Sequence, residues 1–220
     1  AGTQRRPDHS ADLPAYIGAA QSDTREQRLT IMGPTGDGGI NPSTRELIER
    51  LFGPQGAYPH LADAFKPRSS LGYRVRSIDV PASGSKRWAR YQTERVKMTA
   101  IPVHHGDIPA LAWRIEIAGQ SIVITGSFNN SKNLVATFAK DADALVVSHA
   151  IPENSRGVLR DLYARPSQLG RVADQADVRM MILGHRSVRT RGRESLSRNA
   201  IEENYNGTIL FANDGECWGL

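Results

Sequence analysis

Apolar and polar positions along this chain follow two periods, one helical and one extended, and their order predicts most of its elements. Between Ala11 and Ala20 the apolar residues fall at Ala11, Leu13, Ala15, Tyr16, Ile17, Ala19 and Ala20, which predicts a short buried helix capped by Ser10 or Asp12. Leu29 to Met32 reads as a short strand running into the turn-rich stretch Gly33 to Gly39. Ser43 or Thr44 caps a helix to about Phe52, with Leu47, Ile48 and Leu51 on one face and Gly53-Pro54 as its stop. A second short helix is expected over His60 to Phe65, then a strand over Tyr73 to Val80 and an exposed loop from Pro81 to Lys86.

The second half alternates more regularly. Val96 to Val103, Leu111 to Ile117 and Gln120 to Ile124 read as consecutive strands, the last two joined by a tight hairpin at Ala118-Gly119. A helix is expected from Ser131 to about Asp141, burying Leu134, Val135 and Phe138, and a strand over Ala144 to Val147. The helix from Ser167 to Ala176, strand from Met180 to Leu183, helix from Glu194 to Tyr205 and strand from Thr208 to Phe211 complete the pattern. Such alternation predicts an α/β fold in which helices cover a sheet.

Composition changes this picture in three places. At 220 residues, 39% of them hydrophobic, the chain is long enough for one domain, or two closely packed halves, with a sizeable core. A net charge of +5 favours anionic partners without choosing among esters, nucleic acid and membrane surfaces. The single cysteine, Cys217, excludes an intramolecular disulfide and a cysteine-rich zinc site, so any metal must be held by His, Asp or Glu. No apolar run approaches the roughly 20 residues that cross a bilayer, and Ala1 to Arg6 carries no apolar signal region. A soluble, cytoplasmic protein with no membrane partner is expected, with export left open.

Candidate chemistry concentrates at strand ends. His104 and His105 close the apolar run from Val96, His149 closes the strand through Ser148, and His185 closes Met181-Ile-Leu-Gly. His104 and His60 read as structural. Directly after His185, the run Arg186-Ser-Val-Arg-Thr-Arg-Gly-Arg193 concentrates four arginines that can gather an anionic substrate, while lacking the interleaved aromatics of a single-strand RNA reader. The glycines of Gly33 to Gly39 lack the lysine and fixed spacing of a phosphate loop and read as a surface turn.

Taken in order, Thr3-Gln-Arg-Arg-Pro-Asp-His-Ser-Ala-Asp-Leu-Pro14, His105 before Pro109-Ala-Leu-Ala-Trp-Arg114, Thr125-Gly-Ser127 and Leu183-Gly-His185 resemble the metallo-β-lactamase superfamily, in its ribonuclease Z and arylsulfatase-like branch. The resemblance spans Thr3 to Phe211 and implies an αββα sandwich formed by residues 1–220 as a single domain, incomplete in its first half because the family's opening strands have no counterpart here. In the family the first ligand cluster is His-x-His-x-Asp-His; Asp8 and His9 stand in its last two positions, and Gln4 and Arg6 replace its histidines. Ser127 stands where the family has a metal-bridging carboxylate.

By that resemblance the metal ligands are Asp8, His9, His105 and His185, with Asp8 and His149 as catalytic groups and Arg6, Arg186 and Arg189 as substrate-binding groups. Asp8, His9 and His185 would hold one zinc ion, and a second divalent cation is disfavoured beside the permanent charge of Arg6. His149 admits two readings, a proton donor to a leaving group or a histidine bonded to nearby backbone. The function implied is a metal-dependent hydrolase of an anionic ester, phosphodiester or sulfate ester, acting through a metal-activated water. The alternative is a non-catalytic relative that binds an anionic ligand or partner. A small anionic substrate is expected in preference to nucleic acid, and a homodimer is left open.

Overall fold

In the computed structural model of the chain, which describes residues 1–22, 24, 27–66 and 73–219, two compact units are formed by Ala1–Ala82 and Ser83–Leu220. The first unit begins with α1 (Pro7–Ser10) and α2 (Leu13–Ala19), then β1 (Leu29–Pro34), α3 (Thr44–Phe52), a 3-10 helix (Pro59–Phe65) and β2 (Val75–Val80). Strands β1 and β2 pair in parallel from Leu29↔Val75 to Pro34↔Val80. Their core joins Ile17, Ile48, Phe52, Leu61, Tyr73 and Val75. Phe52 and Phe65 stack with ring centroids 4.9 Å apart, which fixes the 3-10 helix against α3.

Of the two caps expected for α3, Ser43 is the one the structure uses. Ser43 Oγ accepts from Glu46 N at 3.1 Å and Glu46 Oε2 accepts from Ser43 N at 2.5 Å, the reciprocal arrangement that satisfies two orphan donors at a helix start.

The second unit is one seven-stranded sheet in the order β3-β4-β5-β6-β7-β8-β9. Its strands are β3 (Trp88–Gln92), β4 (Val96–Val103), β5 (Ala110–Ile117), β6 (Gln120–Ile124), β7 (Ala144–Ser148), β8 (Met180–Gly184) and β9 (Thr208–Phe211). Helices α4 (Leu134–Phe138), α5 (Val158–Leu162), α6 (Pro166–Gln175) and α7 (Glu194–Glu202) lie between the later strands. The expected hairpin forms at Ala118 and Gly119, both with positive φ, as a two-residue loop matched to strand twist requires.

Alternation along β7 divides the apolar residues between two faces. Leu145 and Val147 pack with Val123, Met181 and Leu183 against Phe138, Leu169, Val172 and Ile201 of α4, α6 and α7. Ala144 and Val146 point the other way, into a smaller cluster with Met180 and Ile182. A strand apolar on both faces reads as a continuous hydrophobic run, which is how Ala144 to Val147 appears in the sequence.

One expected element is shortened and two are additional. The helix expected from Ser131 to Asp141 is confined to Leu134–Phe138, because Asn133 takes a left-handed backbone (φ 47°) before it and Asp141 another (φ 55°) beyond it. Strand β3 and helix α5 are additional: β3 is an edge strand with three exposed residues, and α5 buries none, so neither has an apolar period to betray it. Among the described residues no helix is long and apolar enough to cross a membrane.

Candidate functional site

Strand directions decide where chemistry can collect in the second unit. Because β4 and β6 are both antiparallel to β5, and β6, β7, β8 and β9 are mutually parallel, strands β4, β6, β7 and β8 all end at one edge of the sheet. Each of them is followed there by a residue singled out in the sequence: His105, Ser127, His149 and His185 respectively. Ligands collect at such carboxyl ends because strand-to-helix loops are free of the sheet's own hydrogen-bond ladder.

The loops at this edge are tied to one another. Asn129 N donates to His104 O at 2.8 Å, linking the loops after β4 and β6. Ser127 Oγ and Ser148 Oγ lie 3.3 Å apart, linking β6 to β7, and His149 N donates to Gly184 O at 2.8 Å, linking β7 to β8. His105 is buried, and its Nδ1 lies 2.6 Å from Leu162 O. Since a carbonyl only accepts, Nδ1 carries the proton, and Nε2 is left with the lone pair a metal ligand needs.

His149 is 1% exposed, places Nε2 2.8 Å from Ser197 Oγ and packs against the ring of Phe211. Burial pushes its pKa down to about 4; Glu194 opposes that shift and Arg186 adds to it. The side chain is therefore neutral at ordinary pH and closed to solvent, which fits the bonded, structural reading of this histidine better than that of a proton donor. Its partner Ser197 was not singled out in the sequence. The one trace it leaves there is a polar residue on the buried face that α7 shares with Ala200 and Ile201.

The two arginines assigned to substrate differ. Arg186 is held by Glu194 Oε1 at 3.0 Å and by the side chain of Asn213, so it orders its own loop. Arg189 is exposed, as are Arg191 and Arg193.

In the first unit, Pro7 starts α1 with a fixed φ, Arg6 is its N-cap and Asp8 lies in its first turn, where the helix end favours negative charge. Arg6 Nε is 3.4 Å from Asp8 Oδ1, so the guanidinium expected to meet substrate rests on the carboxylate expected to hold metal. Gln4 is buried and its amide lies 2.6 Å from His9 Nε2. The atom facing the ring is Gln4 Nε2, and an amide N–H only donates, so His9 Nε2 accepts and the proton of the neutral imidazole sits on Nδ1.

The ligand types expected from the sequence, a carboxylate at Asp8 and imidazoles at His9 and His185, are ones that zinc accepts. The remaining family positions fit a metal poorly. Gln4 and Arg6 offer no strong donor, and the Ser127 hydroxyl is engaged by Ser148.

No family model matches the chain. Ribonuclease Z from Pediococcus pentosaceus is 24% identical over 227 residues, covering 88% of this chain and 71% of that protein. Among solved structures, the metallo-β-lactamase fold protein YhfI from Bacillus subtilis superposes with a TM-score of 0.68 at 16% identity, over 99% of this chain and 75% of that one. Zn(2+)-bound PqqB from Methylobacterium extorquens gives 0.54 at 12% identity, over 100% and 82%. The chain thus has the mixed α/β fold of the metallo-β-lactamase superfamily. In sequence the chain is similar, at low identity, to ribonuclease Z proteins.

Proposed function

We propose that the protein is a metal-dependent hydrolase that cleaves a small anionic ester, a phosphodiester or sulfate ester, with one zinc ion held by Asp8, His9 and His185. The reading is carried by the placing of His105 and His185 at the ends of β4 and β8, along one edge of the sheet. Likeness to ribonuclease Z supports ester hydrolysis at a phosphorus centre, and likeness to a zinc-bound protein of the same fold supports the metal. When bound, zinc supplies Lewis acidity and lowers the pKa of a coordinated water to about 7.

The chain's own residues supply the rest. Arg189, exposed after His185, offers a planar fork to an anionic oxygen of the ester. Arg6, paired with the Asp8 carboxylate, would orient it toward a cation and offer its remaining donors to an anionic oxygen of the ester. His105, fixed by Leu162 O, is the residual ligand of the family's second metal position. With no aromatic residue between Arg186 and Arg193, this loop offers no stacking platform for bases, which favours a small ester over a single-stranded nucleic acid.

Metal content of the protein purified from zinc-supplemented medium tests the reading, together with hydrolysis of bis-p-nitrophenyl phosphate and p-nitrophenyl sulfate. The expected result is about one zinc per chain, lost with activity in His185→Ala and Asp8→Asn. Absence of bound metal, with both variants indistinguishable from the parent, would leave the second reading, a non-catalytic anion binder. That reading draws its support from Gln4, Arg6 and Ser127 at ligand positions and from the Arg6–Asp8 ion pair.

A further inference from the structure

His185 and Arg186 lie between two fixed points. On its N-terminal side, Gly184 is held by pairing with Ser148 and by the bond from His149 N to its carbonyl. On its C-terminal side, Ser187 Oγ donates to Ala150 O at 2.7 Å. Between them His185 takes a left-handed backbone, φ 49°, which costs a residue with a Cβ and persists only where its surroundings enforce it.

What enforces it is Thr190. Its side chain is fully buried, and its Oγ1 donates to His149 O at 2.7 Å while accepting from Ser187 N at 3.1 Å. Thr190 N donates back to Ser187 O at 3.1 Å, and Arg191 N shares that carbonyl. One hydroxyl thus bolts the loop after β8 to the loop after β7.

We infer that Thr190 is a positioning residue, whose hydroxyl clamp holds His185 in the backbone conformation that aims its imidazole at the cation. The inference rests on the proposed zinc site. It goes beyond that site in assigning a role to a residue that touches neither metal nor substrate. Thr190→Val keeps the shape and removes the hydroxyl; Thr190→Ser keeps the hydroxyl and removes the methyl.

Two measurements on the full chain test it. Zinc affinity by competition with a chromogenic chelator is expected to weaken about tenfold in Thr190→Val and to stay near the parent value in Thr190→Ser. Amide hydrogen exchange of the metal-free protein is expected to rise together in residues 149–151 and 185–191 of Thr190→Val. Should Thr190→Val not fold, Ser187→Ala, which removes the bond to Ala150 O and the one accepted from Arg189 N, carries the same two expectations.

If Thr190→Val binds zinc as the parent does, or if its exchange in the two segments is unchanged, the clamp is refuted while the metal site stands. Should the parent itself take up no zinc, the metal site falls first and the inference with it, so the two failures are told apart by the parent protein alone.

Discussion

At the scale of single residues, the structure separates groups that look alike in sequence. His105, His149 and His185 all close apolar strands, and for His149 burial drives the pKa down to about 4. Because that value lies below the roughly 6.5 of an unfolded chain, the unfolded state takes up the proton first. The stabilising contribution is complete above about pH 6.5 and is lost as the pH falls toward 4, by about 1.4 kcal/mol per unit and about 3 kcal/mol in all. Urea midpoints between pH 7 and 4 should therefore fall steeply in the parent and less steeply in His149→Gln; equal slopes would remove His149 as the cause. The arginines divide in a similar way. Arg189→Ala should raise KM for an anionic ester with little change in melting temperature, and Arg186→Ala should lower the melting temperature by releasing Glu194 and Asn213. The proximity of Arg186 and Arg189 to His185 was readable in the sequence. Their different engagement was not, because it depends on partners that only the fold brings near, such as Asn213 beyond β9.

At the scale of elements, what could be read was whatever carried a period or a cap. Strands β4 to β8 and helices α3, α6 and α7 each present an apolar face or run of their own, so their extents were legible to within a few residues. Strand β3 owes its existence to pairing with β4 and to Trp88 meeting the edge of Trp113, ring centroids 5.8 Å apart, neither of which is a local signal. The clamp at Thr190 escaped for the same reason: within its basic loop it is a small polar residue, and its value lies in the carbonyl of His149. Capping, by contrast, is local and testable. Ser43→Ala removes the acceptor for Glu46 N at the start of α3 and should cost about 1 kcal/mol, a fall in melting temperature of about 2–4 °C for a chain of this size. Thr44, buried and donating to Pro34 O, should keep the helix in place, so circular dichroism of the variant should match the parent below the transition.

For the molecule as a whole, charge and metal act through linkage, which no single contact reveals. A net charge of +5 with a run of exposed arginines after β8 raises the local concentration of anions. The kcat/KM for an anionic ester should accordingly fall as ionic strength rises through about 0.15 M, where the screening length is about 8 Å, while that for a neutral ester of similar size stays level. The proposed zinc site gives a second global readout. A cation that binds the folded chain and not the unfolded one stabilises it by RT ln(1 + [L]/Kd), about 2.7 kcal/mol at a hundredfold excess over Kd. Spread over a chain of 220 residues, that stabilisation corresponds to a rise in melting temperature of several degrees on adding zinc, reversed by a chelator. The same addition to His185→Ala, Asp8→Asn or His9→Ala should produce no rise, because each variant removes one of three ligands and leaves too few to compete with water. A rise in all three equal to that of the parent would mean that zinc binds elsewhere on the folded chain, and these residues would then no longer account for the metal.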